Sequence, residues 1–281
     1  MKRAILCAAI GGWLATAGLA EAQVAPIEAD QNIQTAEQDA ASAEAVSIAR
    51  AAAALIAPKL PAPEPSPVVV ELFTSQGCSS CPPADALLAD MSTRKDVIAL
   101  ALHVDYWDYL GWEDPFAQPA FTARQKAYAR AAGERTIYTP QMIVDGADTL
   151  VAPRAADLSA LIAAHAAGPD PVAVRLRPEG GKIVVDLSAD PPLTTPAVIQ
   201  IVRYTPSTRV EIVRGENAGR ELDYANVVKA WHAVADWDGR GPLTLTVTLD
   251  GADPAVLIVQ TARPGKSAPL PGAILAAARL N

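Results

Sequence analysis

The stretch Phe73-Thr-Ser-Gln-Gly-Cys-Ser-Ser-Cys-Pro-Pro83 decides how this chain is read. It follows an apolar, β-rich run (Val68, Val69, Val70, Leu72, Phe73) and precedes a helical pattern. Two thiols with two residues between them, at a strand-to-helix turn, have the layout of a dithiol–disulfide redox site. A helix N-terminus stabilises the thiolate of the first thiol, Cys78, which makes it the attacking nucleophile. Cys81 is then the resolving thiol that releases the mixed disulfide. Ser79 and Ser80 supply hydroxyl and N–H groups near the thiolate. Pro82 and Pro83 have no N–H to donate and suit a first helical turn. The alternatives are a fixed structural disulfide or a metal clamp. The latter is short of ligands, since one such pair supplies two of the four that a structural zinc site takes.

Outward from the pair, the pattern alternates between strand and helix. Val68–Phe73 reads as a strand, Ala84–Met91 as a helix with Leu87, Leu88 and Met91 on one face, and Val97–Val104 as a buried strand. An aromatic segment runs from Asp105 to Gln118, and Phe121–Ala132 is a helix that Gly133 ends. A short strand after Thr139-Pro140 enters the Asp145-Gly146 turn, Leu150 and Val151 pair with it, and Ala155–His165 closes the set as a helix. The order βαβαββα is the one a thioredoxin-like α/β domain requires, and the reading places that domain at 68–170. Residues 171–281 read as a smaller, mostly antiparallel, sandwich-like β domain. Its expected strands are Val172–Arg177, Lys182–Leu187, Ala197–Tyr204, Arg209–Val213, Leu243–Leu249 and Ala255–Thr261, with helix at Tyr224–Val228 and at Ile274–Leu280.

The N-terminus reads as a secretory signal over residues 1–22. Lys2 and Arg3 precede an apolar stretch to Leu19, and Ala20-Glu21-Ala22 offers small residues at the cleavage site. The stretch is shorter than the ~20 apolar residues a membrane span needs. This predicts a periplasmic or secreted protein, free of the membrane after cleavage, in a compartment where disulfides persist. Removal of Cys7 with the signal leaves Cys78 and Cys81 as the remaining cysteines. Residues 23–67 are an alanine- and proline-rich flexible segment, with a weak helix at Ser42–Ile56 and a linker holding five prolines between Pro58 and Pro67. The formal net charge of −8, without a Lys/Arg run, argues against a nucleic-acid partner.

Further candidates surround the pair. Pro140, preceded by Thr139, stands where a thioredoxin-like domain places a cis-proline loop, whose backbone groups would bind a substrate chain. Glu71 is either a buried carboxylate that shuttles protons to the second thiol or an outward-facing strand residue. Asp105 and Asp108, at the end of the second strand, either line the site or cap the aromatic segment. The polar stretch Arg214–Arg220 either binds a small anion, docks onto the first domain, or is a solvated loop.

Glu71–Asp85, His103–Trp112, Tyr138–Met142 and Val213–Arg220 together resemble a bacterial family of secreted, thioredoxin-like proteins that carries only a domain-of-unknown-function label (DUF1223). The resemblance covers roughly residues 68–275 and implies a thioredoxin-like fold with a β-rich extension, without implying a substrate. Gly77 stands where general thioredoxins carry a tryptophan before the first cysteine. The expectation is therefore a secreted thiol–disulfide oxidoreductase that needs no dissociable cofactor, with a protein or small-molecule thiol or disulfide as substrate. The competing expectation is a metal-binding (copper, through His103) or partner-binding module without redox turnover.

Overall fold

The structure, a computed structural model, describes residues 65–249, 251–265 and 269–280. The expected signal at 1–22, the weak helix at Ser42–Ile56 and nearly all of the 23–67 segment lie outside the described residues. The described chain is mostly β, with eleven strands and three α-helices. The strands are β1 (Val68–Thr74), β2 (Val97–His103), β3 (Gln141–Val144), β4 (Asp148–Val151), β5 (Val172–Glu179), β6 (Lys182–Ala189), β7 (Ala197–Ile212), β8 (Arg220–Trp237), β9 (Leu243–Val247), β10 (Ala255–Arg263) and β11 (Leu270–Arg279). The helices are α1 (Pro82–Ser92), α2 (Pro119–Ala132) and α3 (Ala155–Ala166).

One eight-stranded sheet, in the order β11-β10-β7-β8-β2-β1-β3-β4, runs through most of the described chain. A three-stranded sheet, β5-β6-β9, packs beside it. This overturns the expectation of a thioredoxin-like α/β domain followed by a smaller β domain. β1 and β2 pair in parallel, as two continuous apolar runs should. The other edge of β2, however, meets β8 in parallel at Ala101 and Val227. Periodicity reports which face of a strand is apolar, not which strand will satisfy its free N–H and C=O groups.

The expected strands Ala197–Tyr204 and Arg209–Val213 are one 16-residue strand, β7, and the expected helix at Tyr224–Val228 lies inside the 18-residue β8. Register shifts at Ile199/Gln200 and Arg203/Tyr204 break the period-2 pattern that would have marked both as long strands. The expected C-terminal helix is β11, paired antiparallel with β10. Alanine-rich Ala276-Ala277-Ala278 favours helix intrinsically, but the open edge of β10 supplies a ladder for it.

Apolar residues fill both faces of the sheet. Val68, Val70 and Leu72 of β1, with Val97, Ala99 and Ala101 of β2, pack against Ala84, Leu87 and Leu88 of α1 and Leu158 and Ile162 of α3. On the other face Val69, Phe73, Leu100 and Leu102 meet Phe121 and Tyr128 of α2. That cluster continues into Val202, Val228, Val256, Ile258 and Ala277, so residues from both halves of the chain share one core.

Helix boundaries follow local chemistry. α1 begins with Pro82 and Pro83, at positions whose N–H groups have no intrahelical partner. α2 starts at Pro119 and stops at Gly133, which takes φ of +77°. β10 pairs with β7 only over Ala197–Arg203. Beyond it and beyond the β2 contact at Val227, β7 and β8 continue as a two-stranded ribbon from Ser207/Ala225 to Ile212/Arg220. The tip of that ribbon, residues 213–219, reaches the turn between β1 and α1.

Candidate functional site: a covered disulfide

β1 ends at Thr74, and the chain turns through Ser75–Ser80 before α1 begins. Cys78 and Cys81 are joined as a disulfide with Cα atoms 5.4 Å apart. The Cys81 N–H donates to the carbonyl of Cys78, and the N–H groups of Ala84 and Asp85 donate to that of Cys81, so the second cysteine already belongs to the first turn of α1. Both cysteines are fully buried, while Ser79 and Ser80 between them are exposed. The Ser80 hydroxyl lies 3.4 Å from Cys78 Sγ.

The cover comes from the ribbon tip. Asn217, itself buried, donates from Nδ2 to the carbonyls of Gln76 (2.9 Å) and Cys78 (3.0 Å). Glu216 Oε2 accepts the Ser79 hydroxyl at 2.7 Å and the Ser79 N–H at 3.3 Å. Gly215 takes φ of +77°, and a Cβ there would stand 3.1 Å from Cβ of Trp112. Trp112 Nε1 in turn donates to Gln76 Oε1 at 2.8 Å. The Arg214–Arg220 stretch, for which the sequence offers three readings, thus sits on the cysteine turn.

Thr139-Pro140 is a cis peptide at the start of β3. Trp107 links it to the cysteine turn, since its Nε1 donates to Thr139 Oγ1 at 2.8 Å and its Cβ lies 3.1 Å from where a side chain on Gly77 would begin. Glycine at 77 therefore meets a need for close approach. Trp107 and Tyr106 also pack on the core that Phe73 and Tyr128 share, whereas Tyr109 is 81% exposed.

Other expected site residues are placed elsewhere. Glu71 points to the face of β1 that carries α2, away from α1. Its carboxylate accepts two hydrogen bonds from Arg124, at 2.6 and 2.8 Å, and one from the Tyr128 hydroxyl. Arg124 also stacks 3.8 Å from the Trp231 ring centroid and donates to Gln260. Asp105 accepts the Thr122 hydroxyl and so ties the end of β2 to α2. Asp108 accepts the Asp114 N–H at 3.2 Å within the aromatic segment.

Beneath the disulfide lies a polar group that the sequence reading passed over, apart from naming His103 as a copper ligand. Asp85, one helical turn after Cys81, is 5% exposed, and neither carboxylate oxygen has a hydrogen-bond partner among the described residues. Burial pushes its carboxyl up from 3.8 to about 7, which the neighbouring His103 and Thr74 offset only in part and Asp114 reinforces. His103 is wholly buried and donates from Nδ1 to Asp114 Oδ2 at 2.7 Å, and Asp114 Oδ2 also accepts the Gln76 N–H. His103 Nε2, Thr74 Oγ1 and the Tyr224 hydroxyl are likewise buried without partners among the described residues. The Tyr224 ring meets His103 edge-on at 5.0 Å, and burial near Asp85 and Asp114 raises its hydroxyl. A signal for Asp85 exists in the sequence: an acid on the same helical face as Leu88, four residues after Cys81. Among the described residues no three His, Cys, Asp or Glu side chains are placed to hold a metal ion.

Two solved structures resemble this one. Protein AGR_C_4864 from Agrobacterium tumefaciens is 32% identical, the match covering 77% of this chain and 95% of that one, with a TM-score of 0.65. HBP35 of Porphyromonas gingivalis is 16% identical over 76% of this chain and 74% of that one, with a TM-score of 0.50, a likeness of fold alone. No curated protein matches the chain. The family model for "Protein of unknown function (DUF1223)" matches residues 69–260, which include the cysteine turn, cis-Pro140 and the ribbon tip, and the chain belongs to that family.

Proposed function

We propose that the protein is a secreted or periplasmic thiol–disulfide oxidoreductase whose redox pair is Cys78 and Cys81. The observation that carries this reading is the disulfide at the first turn of α1, linked through Gly77 and Trp107 to the cis Thr139-Pro140 loop. A thiolate of the substrate attacks Cys78 Sγ, the Cys78–Cys81 bond breaks, and Cys81 leaves with the electron pair. A second substrate thiolate then attacks its own sulfur in the mixed disulfide and releases Cys78. One substrate disulfide forms as the protein's disulfide is reduced. The positive end of the α1 dipole stabilises the Cys78 thiolate in this last step. Thr139 and Pro140 offer backbone groups to a substrate chain. Because the ribbon tip covers the pair, substrate gains access only as Glu216 and Asn217 release Ser79 and Cys78. The pair is its own electron carrier. Export rests on the signal-like residues 1–22 and on the need of a disulfide for an oxidising compartment.

A second reading, a binding module with a fixed disulfide, is favoured by the complete burial of both cysteines. Redox titration against glutathione or dithiothreitol buffers, with insulin reduction as an activity readout, separates the two. The oxidoreductase reading expects exchange that Cys78→Ser abolishes. A disulfide that stays closed at every potential would sink it in favour of the second reading.

A further inference from the structure

We propose that Asp85 is the proton donor and acceptor for Cys81, and that His103, held by Asp114, positions Asp85 and connects it through buried water with Thr74 and Tyr224. This inference rests on the oxidoreductase reading and names the group that moves the proton in it.

Cys81 and Asp85 are four residues apart at the start of α1, and the Asp85 N–H bonds to the Cys81 carbonyl, so their side chains share one helical face. Both are shut off from solvent. A thiolate released at Cys81 would be a charge shut off from water, a state costly enough to need protonation. Asp85 is the acid on that face. His103 donates from Nδ1 to Asp114, and its Nε2 is turned, without a partner among the described residues, to the same interior. Unpartnered atoms of Thr74, Asp85, His103 and Tyr224 come from β1, α1, β2 and β8. Buried polar atoms are nearly always hydrogen-bonded, and water bound among these four satisfies them together.

On reduction, the S–S bond opens toward Cys78 as above. Cys81 leaves as thiolate and takes the Asp85 proton, giving a neutral thiol and an aspartate. The aspartate regains a proton from solvent through the buried water. On oxidation of the dithiol, the same aspartate removes the Cys81 proton, and the thiolate attacks the mixed disulfide at Cys78. Burial holds Asp85 protonated up to about pH 7, which suits both directions near neutrality. The titratable groups facing it are His103 on β2, Asp114 before α2 and Tyr224 on β8, with Arg220 beyond Tyr224, while Cys81 lies one turn before it on its own helix.

The test is the rate of disulfide opening by dithiothreitol between about pH 5 and 9, divided by the reagent's thiolate fraction. The wild type should show a corrected rate that falls through about pH 7 as Asp85 loses its proton. Asp85→Asn should abolish that limb and slow opening at pH 6 by about 10²-fold. His103→Gln should move the limb to higher pH, since the imidazole favours the ionised carboxylate. Should Asp85→Asn not fold, the oxidised-minus-reduced infrared spectrum of the wild type gives the same answer, with a protonated-carboxyl band that changes on reduction. A disulfide that dithiothreitol never opens overturns the oxidoreductase reading and the relay with it. Opening with the same corrected pH profile in Asp85→Asn and wild type, or a carboxyl band indifferent to reduction, overturns the relay alone.

Discussion

Asp85 also makes a prediction about stability that is independent of any reaction. Its carboxyl is held at about 7 in the fold against 3.8 ordinarily. Between those values the folded chain binds a proton that the unfolded chain has lost, so this group's contribution falls as pH rises from about 4 to 7. The slope is about 1.4 kcal/mol per pH unit, roughly 4 kcal/mol across the window. Urea denaturation at pH 5 and pH 8 should show the loss in the wild type, and Asp85→Asn should flatten it. An unchanged slope in the variant would place the carboxylate in contact with water. Glu71 presents the opposite case, a buried carboxylate fully paired. Glu71→Ala leaves the Arg124 guanidinium without its two charge-assisted bonds, and should cost about 3–5 kcal/mol in the same assay. The sequence showed an acid within an apolar strand but not its partner. Arg124 is 53 positions away, and only the packing of α2 on β1 brings them together.

At the scale of elements, the ribbon tip is the part of the site that pattern reading placed least well. By sequence, the stretch that holds Glu216 and Asn217 fits anion binding, docking onto the first domain or a solvated loop alike. Their contacts depend on two register shifts that bend β7 and β8, and no local pattern encodes where a bent ribbon ends. Asn217→Ala removes two hydrogen bonds to backbone carbonyls that are otherwise covered, which should cost about 1–3 kcal/mol and speed dithiothreitol reduction of the pair. Equal reduction rates in variant and wild type would mean that the tip does not limit access. Gly215→Ala should act the same way by a different route, since it meets Trp112 and requires positive φ.

For the molecule as a whole, the shared core decides what can fold alone. Val202, Val228, Val256, Ile258 and Ala277 pack with Val69, Phe73, Leu100 and Leu102, and β8 occupies the outer edge of β2. A fragment of residues 65–170 would expose that face and that edge. It is expected to show neither a cooperative thermal transition nor dispersed amide resonances. A fragment that folds with the stability of the whole chain would contradict the shared core.

From sequence alone come the features set by neighbours along the chain: the paired cysteines, the strand before them, the proline-started helix after them, and the proline that opens β3. These depend on covalent spacing and on backbone preferences acting within a few residues. Tertiary structure alone decided that β8 pairs with the outer edge of β2, that the ribbon tip covers the disulfide, and that Asp85 and His103 come together below it. Each of these joins residues more than fifteen positions apart, through hydrogen-bonding edges and buried volume. Such contacts take their energy from excluding water between distant segments, and a window of sequence holds only one side of them.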